Sequence, residues 1–244
     1  MKDNSIEMAS PWEQAAAAKY HEQIALKIPG YQLQYDLLDT LATAALTERT
    51  AARLLIVGAG GGQEILTLAQ KHPHWSFTGV DNSQRMLLVA EERLAAAALT
   101  TRVSLQQCEL ADWDDHGLYD AATCMLVLHF VEGRERKLAL LQSIASRLQP
   151  GAPLFLSAIN GDMTSPAWLS QLAGWKLHML GQGITLQQWE QFEQSFGITS
   201  HPLPAEEIEE MLRQAGFTAI SRFFGSYRVD GWMAVKRGSE QDEN

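Results

Sequence analysis

The sequence predicts an α/β fold: a doubly wound, mostly parallel seven-stranded sheet that ends in a C-terminal antiparallel hairpin. Three observations carry this prediction. Between residues 51 and 159, apolar runs rich in branched side chains alternate with helix-period segments. The first of these runs, Leu54-Leu55-Ile56-Val57, meets glycines at 58, 60 and 62, and a helix-compatible segment follows at once. This is the pattern of a buried strand, a tight turn and a helix N-terminus. After residue 205 a helix leads into two strand-like runs joined by a short Gly225-Ser226 link.

Each element has its own justification. Residues 1–50 read as an N-terminal helical cap, helical from Pro11 to Thr50 and broken at Ile28-Pro29-Gly30-Tyr31. Strands are predicted at Arg53–Val57, Ser76–Val80, Val103–Gln107, Ala121–Leu126 and Pro153–Ile159 within a core of residues 51–159. Helices are predicted at Gly62–Lys71, Ser83–Ala98 and Arg134–Leu148. Ser83 is placed to cap the second of these, and Gln149-Pro150-Gly151 stops the third. Residues 160–204 break the alternation, carry Trp168, Trp175 and Trp189, and read as a helical lid. Residues 205–238 supply the final helix and the hairpin strands Thr218–Phe224 and Tyr227–Val235. The tail 239–244 reads as disordered.

Composition narrows the function. A chain of 244 residues suffices for one large α/β domain. Its net charge of −10 argues against a protein whose main task is gripping a phosphate backbone. Cys108 and Cys124 sit in apolar, strand-like contexts and read as buried thiols of a reducing compartment. Metal-ligand spacing is absent, so no metal is expected. The opening Met1-Lys2-Asp3-Asn4-Ser5 is polar with no apolar stretch behind it, and no run is long enough to cross a membrane. A cytoplasmic protein is the expectation.

The glycine turn suits a ligand approached by backbone. A dinucleotide fingerprint counted from Gly58 needs its third glycine at 63, where this chain has Gln63. The observed spacing suits a nucleotide-like ligand without a pyrophosphate. In Phe77-Thr78-Gly79-Val80-Asp81 an acid ends the second strand about twenty residues past the glycines, where a carboxylate can accept both hydroxyls of a ribose.

At these residues the chain resembles the class I S-adenosylmethionine (SAM)-dependent methyltransferases, whose sheet is Rossmann-like. Leu55–Gly62 is similar to their first motif, Val80–Leu87 to the second, Gln107–Leu110 to the third and Tyr119–Phe130 to the fourth. Arg147–Ala152 resembles the turn before their fifth strand. The resemblance runs in register from about Arg53 to Lys236. It implies SAM as cofactor and S-adenosylhomocysteine as product. Gly58, Ala59, Gly60 and Gly62 would then pass the methionine part, Asp81 would hold the ribose, and Asn82 and Met86 would flank the adenosine. Glu109 and Leu110 would border the adenine, and Met125 would lie near the sulfonium. One departure stands out. The family often carries an acid two residues before the first glycine, and this chain has Ile56, which suggests that Glu64 or a group on the N-terminal helices takes over. Lys27–Tyr31 and Phe223–Lys236 are also similar to the carboxy-SAM synthases of the tRNA wobble-uridine pathway, which implies Tyr31 as a further cofactor contact. Those enzymes hold an extra carboxylate with an arginine after the fifth strand. Residues 160–200 contain none here, so ordinary SAM is expected.

The acceptor side is less legible. Trp168 and Trp175 read either as walls of an apolar small-molecule acceptor pocket or as cement for the subdomain or for a homodimer contact. His129, just past the fourth strand, is placed to act as a general base, with packing as the rival role. Methyl transfer to a small molecule is the leading expectation. A tRNA-modifying enzyme and a non-catalytic SAM-binding protein remain as alternatives, while Gln63 argues against a dehydrogenase.

Overall fold

A computed structural model of the chain describes residues 23–115 and 117–238. Residues 11–22 of the expected N-terminal helical region and the expected disordered tail lie outside the described residues. Helix α1 (Tyr31–Ala45) is followed by β1 (Ala52–Val57), α2 (Gln63–Lys71), β2 (Trp75–Asp81), α3 (Gln84–Ala96) and β3 (Val103–Gln107). Then come β4 (Ala121–Met125), α4 (Arg134–Ser146), β5 (Pro153–Ile159), α5 (Pro166–Gly181), α6 (Leu186–Gln194), α7 (Ala205–Gln214), β6 (Phe217–Ser226) and β7 (Val229–Lys236). The seven strands form one sheet in the order β3-β2-β1-β4-β5-β7-β6. The first five are mutually parallel, and β7 runs antiparallel to both β5 and β6.

Strand β1 is central because both its neighbours pair with it: Leu54 lies opposite Phe77 of β2 and Ala121 of β4. Alternate residues of β1 feed two separate cores. Leu54 and Ile56 join the cluster under α1, α2, α3 and the 160–204 helices, whereas Leu55 and Val57 join the cluster under α4 and α7. A strand buried on both faces reads as a continuous apolar run, which is why Leu54–Val57 carries no polar residue. Strand order reverses between β1 and β4, and at such a switch point a crevice opens beyond the carboxyl ends of the strands.

Two sequence expectations shift. The hairpin turn lies at Tyr227-Arg228, not Gly225-Ser226, because Ser226 pairs with Val229 and Gly225 with Asp230. Tyr227 takes the positive φ of 48° that closes the loop. Gly225 is needed where the strands approach, since a Cβ there would lie 3.0 Å from Asp230 Oδ1. The 160–204 tryptophans join the core on the Leu54 and Ile56 side of the sheet. Trp168 meets Phe196 edge-on with ring centroids 5.1 Å apart, and Trp175 meets Phe192 at 5.0 Å. The Trp175 indole N–H donates to Lys27 O at 2.6 Å, tying this region to the N-terminal helical segment.

Candidate functional site

A cavity of about 730 Å³ opens at the carboxyl ends of β1 to β4, within the size range of small-molecule sites. The glycine turn forms its floor. Gly58 N–H and Ala59 N–H both donate to Val80 O, at 2.8 and 3.1 Å, so the turn is pinned to β2. Gly58 has φ of 69°, and a Cβ added there would lie 2.2 Å from Val127 Cγ2. No larger residue fits. Arg93 on α3 braces the outer side of the turn by donating to Gly61 O and to Gln63 Oε1.

Asp81 closes the next wall. Its Oδ2 accepts from Gly60 N–H and its Oδ1 from Ser83 N–H, both at 2.8 Å. Burial pushes its pKa upward, against the pull of these two donors. The carboxylate is therefore oriented by backbone while it faces the cavity. Asn82 Nδ2 donates to Glu109 Oε1 at 2.8 Å and so links the ends of β2 and β3. The opposite wall is more apolar, with Leu126, Val127, Phe130, Leu140 and Ile198, and Arg136, Thr199 and His201 add polar groups. Leu126 has φ of 59°, rare for a branched residue. Its N–H holds that conformation by donating to Ser157 O at 2.8 Å and Ser157 Oγ at 3.0 Å. Strain of this kind at a cavity wall marks a site where placement matters.

Comparison with known proteins agrees with this architecture. Residues 55–154 match the family described as a methyltransferase domain. A ubiquinone biosynthesis O-methyltransferase of Xanthomonas campestris pv. campestris is 32% identical over 117 residues, covering 48% of this chain and 47% of that relative. The match to that relative thus spans about half of each chain. The part of the chain that matches, residues 55–154, is a methyltransferase domain. A carboxy-S-adenosyl-L-methionine synthase of Campylobacter hominis is 23% identical over 230 residues, 92% of this chain and 95% of that one. The solved magnesium protoporphyrin IX methyltransferase of Synechocystis PCC 6803, with bound SAM, shares the fold with a TM-score of 0.64 at 16% identity. That match covers 92% of this chain and 93% of the other.

Around this methyltransferase domain, the sequence-predicted residues divide into two sets. Tyr31, Gly58, Ala59, Gly60, Asp81, Asn82, Met86, Glu109, Leu110 and Met125 all line the one cavity. Gly62 does not. It is the N-cap of α2 and packs against Ala90, with φ of 77° that favours glycine and a Cβ position only 3.3 Å from Ala90 Cβ. Trp168 and Trp175, read either as acceptor walls or as cement, are buried and do not line the cavity, an arrangement that suits the cementing role.

His129 also departs from the base reading. Its side chain is buried, its Nδ1 accepts from Ile159 N–H at 3.2 Å, and it does not line the cavity. Burial first, then the Lys137 charge, pushes its pKa down to about 3. Lys137 stays close because its Nζ donates to Leu128 O at 2.7 Å. The His129 carbonyl accepts from His201 N–H at 2.6 Å, and it is His201 that reaches the cavity wall. His129→Ala is therefore expected to cost about 1–3 kcal/mol of stability in urea unfolding, since Ile159 N–H loses its acceptor. A depressed folded pKa means this contribution is present above about pH 6.5 and is lost as pH falls toward 3. The variant should accordingly be less acid-sensitive than the parent between those values. A folded variant without turnover would restore the base role.

Several lining residues escaped the sequence reading as site residues. Tyr35 and Arg136 sit in helices whose periodicity says nothing of a distant cavity, and Leu126 and Phe130 were read only as part of the Tyr119–Phe130 motif, with no site role. His201 shared only the weak signal of any scattered histidine.

Proposed function

We propose that this methyltransferase uses SAM and transfers its methyl group to a small-molecule acceptor. The observation that carries the reading is Asp81, held by Gly60 and Ser83 amides at the cavity edge beside a turn that admits no side chain at Gly58. A carboxylate so fixed suits two ribose hydroxyls, and bare backbone suits close passage of the chain beyond the ribose. Bound SAM would supply a methyl carbon already activated by its sulfonium. The protein's part is alignment and exclusion of water.

On this reading Asn82, Met86, Glu109 and Leu110 enclose the adenosine, and Tyr31 and Met125 border the transferring end. The wall of Leu126, Phe130 and Ile198 favours an apolar acceptor, and His201 is the imidazole positioned to take a proton from an acceptor hydroxyl. The O-methyltransferase relative supports hydroxyl chemistry. Incubation with methyl-labelled SAM and a panel of hydroxylated aromatic compounds tests the proposal. Release of S-adenosylhomocysteine with label in one compound is expected; label transfer to none, with intact SAM binding, would contradict it.

The near full-length likeness to the carboxy-SAM synthase favours one second reading, modification of SAM itself. Mass spectrometry of the nucleoside product separates the two, because only the second yields a carboxylated SAM.

A further inference from the structure

Lys137 is a charged residue on the buried face of α4, which it shares with Leu141 and Ile144. Its exposure is 2%. A buried ammonium normally faces a carboxylate. Among the described residues no ion pair engages Lys137. Its Nζ donates instead to two backbone carbonyls, Leu128 O at 2.7 Å and Val131 O. With these neutral partners, burial pushes its pKa down to about 8.

The two carbonyls bracket a single 3-10 turn, Leu128–Phe130, between β4 and α4. This turn builds part of the apolar wall, where Val127, Phe130 and Val131 line the cavity. Phe130 N–H donates to Val127 O at 2.9 Å and Val131 N–H to Leu128 O at 3.2 Å. A turn so short is weak in its own bonds, so its shape depends on ties from outside. His129 supplies two of them. Its Nδ1 accepts from Ile159 N–H, and its carbonyl accepts from His201 N–H at 2.6 Å. His201 is thus fastened to the turn that Lys137 clamps. Lys137 itself stands behind the wall and does not line the cavity.

We propose that Lys137 is a positioning residue: by clamping the Leu128 and Val131 carbonyls it sets the acceptor wall and, through the His129 carbonyl, the placement of His201. This rests on the reading above of that wall as the acceptor side and of His201 as the group that takes a proton. The reason for a lysine is reach and number of donors. An ammonium carries three donors on a flexible stem, so one side chain ties both ends of the turn. A methionine of similar size would fill the same space without burying a charge, but Val131 O would lose its Lys137 donor.

Lys137→Met in the full chain tests this, with amide hydrogen exchange as the ligand-free readout. The Val131 and His201 amides should exchange about tenfold faster, the equivalent of one hydrogen bond, while Gly58 and Ala59 in the glycine turn keep their rates. Calorimetric affinity for S-adenosylhomocysteine should stay within about twofold. With the compound that takes label from SAM, kcat/KM should fall about tenfold or more. Lys137→Gln keeps two amide donors without the charge. It should recover part of both losses, and it replaces the methionine variant if that one does not fold. A merely structural lysine predicts a lower melting temperature, faster exchange throughout the sheet and unchanged turnover per folded molecule. That result, or unchanged exchange at His201, would overturn the role of Lys137 while leaving the methyl-transfer reading in place. If wild type labels no compound, the methyl-transfer reading falls, and this proposal with it.

Discussion

Asp81→Ala is expected to abolish useful SAM binding, weakening it on the order of 100-fold or more. Two charge-assisted hydrogen bonds to ribose would be lost, each worth about 1.5–3 kcal/mol. The change reaches further than the ligand. Gly60 N–H and Ser83 N–H lose their acceptor, so the glycine turn and the start of α3 lose the group that orients them. Asp81→Asn separates the two effects, because its amide oxygen can still accept one of the backbone bonds. Intermediate affinity with a near-normal melting temperature is expected for Asn, and poor affinity with a lowered melting temperature for Ala. Unchanged SAM affinity in the Ala variant would remove Asp81 from the site.

Trp175→Ala is expected to have the largest effect on stability, about 3–5 kcal/mol. The side chain is fully buried, packs edge-on against Phe192, and donates to Lys27 O at 2.6 Å. Its loss leaves a cavity in the 160–204 region and an unpaired carbonyl across the contact with the N-terminal segment. For a chain of this size the melting temperature should fall by on the order of 10 °C. That is a large share of a typical folding free energy. A pocket residue would behave differently, costing acceptor affinity and little stability. Thermal unfolding therefore distinguishes the cementing role from the acceptor role.

The elements around the turn were legible because local chemistry and tertiary position agree there. Leu54–Val57 had to be buried on both faces, and the glycines at 58, 60 and 62 adopt positive φ, which other residues rarely accept. Asp81 was readable because it ends a strand at a fixed distance beyond that turn. Other features depend on contacts distant in sequence. Trp168 and Trp175 carry the same composition signal whether they wall a pocket or fill a core. His129 lies in a single 3-10 turn and His201 in an irregular segment, both too short for a period to fix the direction of a side chain. One turned inward to Ile159 N–H, and the other reached the cavity. Leu126 adopts a left-handed conformation because of Ser157, which stands 31 residues away.

Glu64 shows the same limit from the other direction. An acid in the first turn of a helix is ordinarily a solvated partner of the helix dipole. Here α1 and α3 close over it, so an unremarkable position becomes an enclosed carboxylate. The sequence shows Ile56 where the family often has an acid and offers Glu64 as one substitute, but the burial of Glu64 at the cavity became visible only once the helices were packed.

Calorimetric titration of the full chain with S-adenosylhomocysteine and with NAD tests the central claim most directly. Binding of S-adenosylhomocysteine with one site per chain, and no heat from NAD, is the predicted result. Binding of NAD without S-adenosylhomocysteine would contradict the account.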